Sequence, residues 1–411
     1  MIPLLFLQMP PTNPIQALLP ATAPAGKSPK SFATGKYRSL FREIGKSDAE
    51  IKDKLNKAWS QFFYGDDKDE RVYYAVGDDM GYIKDIGSND VRTEGMSYGM
   101  MIAVQYGQKD VFDRIWRWSK KYMQHQEGPM KGFFAWQCKE DGQRISEGAA
   151  PDGEEYFVTA LFFAANRWGS GQGILNYRAE ADAILHAMLH KDGEKDVTNM
   201  FDKKAKQVVF SPGGAAAGFT DPSYHLPGFY ELWSRWAKED RPFWKAAATA
   251  SREFFRKVAN PKTGLTPDHT SFEGVPMKSP WDPNSKADNF LYDSFRTAGN
   301  IAMDHAWFAV DPWQVEENNR LLEFFAAQNP PYVANYTLEG KPLVESRSGG
   351  LAAMNAVAAL ASTSVVAPTF VRALWDAPIP RGQWRYFDGM LYMFGLLQAS
   401  GQYRVWTPTK R

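Results

Sequence analysis

The chain has 411 residues, one cysteine, and 48 Lys and Arg against 47 Asp and Glu, a formal charge of +1. That balance excludes the basic excess of a nucleic-acid binder. Cys138 alone excludes an internal disulfide and any multi-cysteine metal site. With 27 Phe, 18 Tyr and 14 Trp the chain can line a groove with aromatic walls after filling its core, which suits the flat C–H faces of a pyranose.

Residues 1–33 read as a disordered or processed leader. Pro3, Pro10, Pro11, Pro14, Pro20 and Pro24 oppose a helix, and Leu4-Leu5-Phe6-Leu7 is too short to span a bilayer. No basic region precedes the apolar residues, so the expected compartment is the cytoplasm, in line with the single cysteine. Ala21-Thr22-Ala23 leaves secretion or export to a periplasm as the alternative.

From residue 34 to 411 the dominant signal is amphipathic helix in one domain. Ser47-Asp48-Ala49-Glu50 is a capping box, followed by Ile51, Leu55, Ala58, Trp59 and Phe62 at helical spacing. Eleven further helices are expected near 94–107, 109–125, 153–168, 176–191, 226–238, 240–258, 292–310, 315–328, 350–362, 367–375 and 388–400. Strand-like runs at 71–76, 132–138 and 208–210 do not alternate with them, which argues against a doubly wound sheet. Segments 96–104 and 351–360 are apolar almost all round and belong on an inner layer. Two concentric rings of six helices meet that need: an all-α domain.

Three patterns invite functional readings and have ordinary structural ones beside them. Gly95-Met96-Ser97-Tyr98-Gly99 matches the serine-hydrolase elbow, but the polar residues before it form no buried strand to carry that turn. His186 and His190 stand four apart on one helix face. No carboxylate or third histidine completes a recognisable set, and a paired surface histidine is far more common, so no metal is assigned. Asp152, in Pro151-Asp152-Gly153-Glu154-Glu155, reads locally as an N-cap with Glu155 completing a box. Glu94 and Asp293 also stand at helix entrances, where a carboxylate is stabilised by the helix N-terminus. Tyr292 and Arg296 beside Asp293 form a cluster able to tune a carboxyl pKa.

Four strings together resemble the family-8 glycoside hydrolases. They are Asp90-Val91-Arg92-Thr93-Glu94-Gly95-Met96-Ser97-Tyr98-Gly99-Met100, Ala150-Pro151-Asp152-Gly153-Glu154-Glu155-Tyr156-Phe157, Asp221-Pro222-Ser223-Tyr224-His225 and Tyr292-Asp293-Ser294-Phe295-Arg296. The resemblance runs from about residue 34 to 406. It implies an (α/α)6 barrel, inversion at the anomeric carbon, and no metal or organic cofactor. It further implies Glu94 as general acid, Asp293 as general base and Asp152 as a holder of the central sugar. Trp136, Tyr224, Arg296 and Tyr386 fall where the family contacts that sugar, and a second tyrosine is expected where Phe387 stands. Glu94 is expected to keep its proton through burial or through a neighbouring negative charge, that of Asp152.

The stretch 74–101, with Val76-Gly77-Asp78-Asp79-Met80, resembles the xylan-active branch. The implied partner is xylan or a xylo-oligosaccharide, with no nucleic acid or membrane, and the protein is expected to act as a monomer. Exo-enzymes of that branch close the cleft with a Leu-His-Pro kink. Here Pro342-Leu343-Val344-Glu345-Ser346-Arg347-Ser348-Gly349-Gly350-Leu351 is shorter and lacks histidine, and its glycines suggest a flexible stretch, a poor wall. An endo-type cleft is therefore expected. The alternatives are a reducing-end xylose-releasing exo-oligoxylanase, a family-8 β-1,4-glucanase, or a carbohydrate-binding protein without catalysis.

Overall fold

The helix signalled at Ser47 forms as expected. Helix α1 spans Asp48–Tyr64; Ser47 Oγ accepts from the Glu50 amide at 3.3 Å, and Glu50 Oε2 accepts from the Ser47 amide at 2.9 Å. Its apolar residues Ile51, Leu55, Ala58, Trp59 and Phe62 are all buried on one face.

The computed structural model describes residues 30–328 and 332–408 together with Ile15, Leu18 and Leu19. Most of the expected leader lies outside the described residues. Within its last part, Ser31–Thr34 makes one helical turn and sets Phe32 against Trp236 and Phe308, with ring centroids 6.5 and 5.2 Å away.

Among the described residues twelve helices have ten residues or more. After α1 come α2 (Thr93–Tyr106), α3 (Lys109–Trp118), α4 (Pro151–Trp168), α5 (Tyr177–Leu189), α6 (Pro227–Trp236), α7 (Arg241–Val258), α8 (Phe295–Trp307), α9 (Trp313–Ala327), α10 (Gly349–Ala358), α11 (Ala367–Asp376) and α12 (Arg385–Ala399). The segment expected as one helix over 109–125 changes pitch: after Trp118 the chain widens into a π turn, Ser119–Met123.

The even-numbered helices pack in succession, α2 on α4, α4 on α6, α6 on α8, α8 on α10, α10 on α12 and α12 on α2. Each odd-numbered helix lies against an even neighbour: α1 on α12, α3 on α2, α5 on α4, α7 on α6, α9 on α8 and α11 on α10. Burial follows the apolar pattern. Every residue of α2 except Glu94 is buried, and so are most of α10 and α12. A buried ion-pair network ties α7 to both α6 and α8. Arg252 of α7 donates to Glu231 of α6 at 2.8 Å and to both oxygens of Asp304 of α8 at 2.7 Å.

Strands are short and peripheral. β1 (Tyr73–Val76) pairs antiparallel with β2 (Met80–Ile83). β4 (Gln137–Cys138) lies between β3 (Val91–Arg92) and β5 (Arg144–Ser146), and β6 (Phe201–Asp202) pairs with β7 (Gln207–Val208). The run expected over 132–138 keeps only its last two residues as strand; the Phe134 amide donates to Glu154 Oε1 at 2.9 Å. No helix among the described residues is long and apolar enough to cross a membrane.

Candidate active site

Glu94 stands in the first turn of α2, where a helix N-terminus favours a carboxylate. The two-residue strand β3 delivers the chain to that helix, and the Thr93 amide donates to the Trp136 carbonyl at 2.9 Å. A short strand thus does precede the elbow-like string, with Val91 buried. Ser97 is nevertheless no nucleophile: it is fully buried and its hydroxyl donates to the Glu94 carbonyl at 3.0 Å. Gly95 has a different use. A Cβ there would meet the Tyr386 ring at 2.6 Å, so the glycine lets Tyr386 come close enough to donate to Glu94 Oε1 at 2.9 Å.

Asp152 is not the cap that its local sequence suggests. Pro151, with its preset φ and missing N–H, is the first residue of α4, and Ala150 is the cap. Asp152 falls one place inside the helix, buried, and its Oδ2 accepts from Arg296 at 3.0 Å. Glu155 makes no box either; it accepts from the Tyr230 hydroxyl. Asp293 lies at the opposite entrance, two residues before α8. Asp268 holds that turn, its Oδ1 accepting from the Ser294 amide at 3.0 Å, the Ser294 hydroxyl at 2.6 Å and the Leu291 amide at 3.3 Å.

One buried guanidinium joins these elements. Arg296 Nη1 donates to Glu94 Oε2 at 2.9 Å, Asp152 Oδ2 at 3.0 Å and the Tyr98 hydroxyl at 3.0 Å; its Nη2 donates to Asp293 Oδ1 at 2.8 Å and Ser223 Oγ at 2.9 Å. Tyr224 places its ring 5.6 Å from the same guanidinium and stacks on Phe210. Glu94, Asp152, Asp293, Arg296, Tyr224 and Tyr386 are therefore brought together. Trp136 is half-buried under the Arg92 guanidinium, and its carbonyl accepts from the amide of Thr93, the residue before Glu94. Phe387 packs near Phe295 and supplies no hydroxyl.

Sequence reading missed Tyr98, Ser223, Asp221 and Asp268. The first three lie inside strings already quoted; Asp268, between Pro267 and His269, carries no local signal at all.

Carboxyls outnumber the cation, and burial decides their protons. Desolvation pushes Glu94 above the usual carboxylate range and Asp293 adds to it, while Arg296 and the Tyr386 hydroxyl pull it back. The negative neighbour expected to be Asp152 is thus Asp293, and it is second to burial. Desolvation also pushes Asp152 up to about 7 and Asp268 up to about 8, and holds Asp221 well above its ordinary value. Away from the site it pushes Glu154 and Glu317 up to about 8.

Each such carboxyl keeps its proton in the fold, between its ordinary and its raised pKa, when the unfolded chain has lost it. The folded state therefore loses stability as pH rises through that window. Buried His225, pushed down to about 3, acts in the opposite sense, but only below the ordinary histidine range. Between pH about 6.5 and 8.5 the carboxyl effect dominates, so Tm should fall across that interval. Differential scanning calorimetry checks this, and a rising Tm there would mean that the carboxyls are ionised in the fold.

The chain is similar to known proteins over most of its length. A model described as glycosyl hydrolases family 8 matches residues 75–401. The reducing-end xylose-releasing exo-oligoxylanase Rex8A of Paenibacillus barcinonensis is 46% identical, over 92% of this chain and 98% of its own. The reducing end xylose-releasing exo-oligoxylanase of Halalkalibacterium halodurans is 44% identical, over 92% and 96%. A catalytic-mutant xylohexaose complex of a xylanase from Teredinibacter turnerae superposes with a TM-score of 0.89 at 46% identity, covering 92% of this chain and all of that one.

Proposed function

The chain belongs to glycosyl hydrolases family 8 and is a glycoside hydrolase, and on that premise we propose that it cleaves β-1,4-linked xylose chains with inversion. Glu94 protonates the leaving glycosidic oxygen; Asp293 takes the proton of a water that attacks the anomeric carbon from the opposite face. Asp152 and Arg296, paired with each other, hold the sugar from one side, with Tyr224 beside it. The observation that carries this assignment is the contrast between two carboxyls on one guanidinium. The Glu94 side chain is only 17% exposed and desolvation pushes it toward its protonated form, as an acid must be, whereas the Asp293 side chain is 41% exposed, open to the water it has to activate. Inversion needs the two carboxyls about 6.5–9.5 Å apart, so that a water fits between base and sugar.

The architecture we assign is the (α/α)6 barrel as a single domain. What supports it is the unbroken succession of inner contacts from α2 through α12 and back to α2, each inner helix carrying one outer partner.

The cleft is of the endo type. The segment between Leu343 and Ser348 is short, and Glu345, Ser346 and Arg347 are exposed. The glycines that follow are not the flexible stretch expected from sequence. Gly349 and Gly350 begin α10, capped by Ser348, and their amides donate to Asp388 at 3.1 and 3.0 Å. A Cβ on Gly350 would meet Asp388 and Leu391 at 3.0 Å, so glycine serves close packing there. The open cleft therefore rests on the missing kink alone.

Product analysis on xylohexaose and polymeric xylan tests both the substrate and the mode. Early xylobiose and xylotriose, with action on polymer, is the expected result. Exclusive release of xylose with no action on polymer would instead establish the exo mode that the named relatives favour. Arg347, exposed and adjacent to the Ser348–Asp388 link, would then be the residue to substitute.

A further inference from the structure

His186 and His190 entered the sequence as a pair without a third ligand. The fold supplies one from a turn remote in sequence. The segment before α7 folds along α5, the Lys238 amide donating to Asp182 Oδ1 near the middle of that helix at 2.9 Å. That docking sets Glu239 Oε2 3.0 Å from His186 Nδ1 and Asp240 Oδ2 2.8 Å from His190 Nε2. The two imidazoles stack with centroids 4.4 Å apart and planes 18° from parallel. One nitrogen from each ring and a Glu239 oxygen all lie within 4.8 Å of one another.

We infer that His186, His190 and Glu239 form a surface site for a divalent ion of the zinc class, with Asp240 orienting His190 or completing the set. Two imidazoles and a carboxylate suit zinc, and copper or nickel with it, far better than calcium or magnesium, which take oxygen ligands almost alone. Zn–N and Zn–O bonds of about 2.0–2.2 Å place tetrahedral ligand atoms about 3.4 Å apart. The His186–Glu239 pair is already that close, and the remaining atoms must draw in by about 1.4 Å. Rotation of exposed side chains supplies such a movement: the His186, His190 and Glu239 side chains are 59%, 38% and 48% exposed.

The nearby cations leave room for the ion. Lys238 Nζ pairs with Glu239 at 3.7 Å through Oε1, leaving Oε2 to face the imidazole, and Arg178 is engaged with Asp182. Asp240 beside His190 is the carboxylate–imidazole arrangement that fixes ring orientation in metal sites. Asp240 also holds a left-handed backbone, φ 56°, at the turn that starts α7. An ion shared between α5 and this turn would clamp two outer helices without touching the groups around Arg296.

Isothermal titration of the full-length, EDTA-treated protein with zinc chloride tests the site. One zinc per chain is expected, with affinity at least about tenfold weaker in His186→Ala, His190→Ala and Glu239→Gln. Zinc at a concentration that saturates the parent should raise its Tm by about 2–5 °C and raise that of the three variants less. These positions are exposed, so the zinc-free Tm of each variant should match the parent and shows that it folds. Absence of saturable binding below about 1 mM, or full affinity surviving in His186→Ala and His190→Ala, overturns the site. Hydrolysis should be the same with and without zinc.

Discussion

Glu94→Gln should lower turnover on xylohexaose by about 10²–10⁴-fold while leaving substrate binding near that of the parent. The amide fits the space: with its oxygen toward Arg296, its NH2 meets the Tyr386 hydroxyl, which accepts as readily as it donates. What it lacks is the transferable proton. The loss should therefore depend on the leaving group. An aryl xyloside with an acidic phenol departs without protonation, and on it the variant should regain most of the deficit. The alkaline fall of activity in the parent, set by Glu94 losing its proton, should disappear as well. Equal losses on both substrates, or an unchanged alkaline limb, would remove Glu94 from the role of acid.

Asp293→Asn should cost turnover on the same scale, about 10²–10⁴-fold, with the opposite signature. Asparagine keeps an oxygen for Arg296 Nη2, so the turn and the guanidinium stay in place, but it cannot take a proton from water. A better leaving group does not help an attack that lacks its base, so both substrates should lose alike. Proton NMR of the parent reaction should show the α-anomer as the first new reducing end from the β-linked chain. A β-anomer appearing first would replace inversion by a covalent intermediate, and Asp293 would then be a nucleophile.

Much of the helical frame was legible before any coordinates. Helical periodicity depends on residues three and four apart, and a capping box spans only four, so α1 and the number of long helices follow from local chemistry. The all-round apolar segments around Met100 and Met354 had one stable place, covered on both sides, and that is where they lie. The strands were read less well, because runs of two to four residues carry too little pattern to separate them from a turn.

The site divides along the same line. Glu94 and Asp293 were readable through their motifs and their positions at helix entrances. Asp152 read locally as a cap, and the cap lost to Pro151 and to Arg296. Asp268 was invisible because its work is to hold the Ser294 turn from a loop with no signature of its own.

The amino-acid sequence by itself determined the helices, which of them are apolar almost all round, and the motifs that mark the family, since each is written in neighbouring residues. Only the tertiary structure decided which carboxyls share Arg296, which of them hold protons, and that Glu239 meets the two histidines. Glu94 and Arg296 lie 202 residues apart. Their contact, and the desolvation that sets the Glu94 proton, come from helices packing together and shutting out water, a property of the assembled fold that no local stretch of sequence contains.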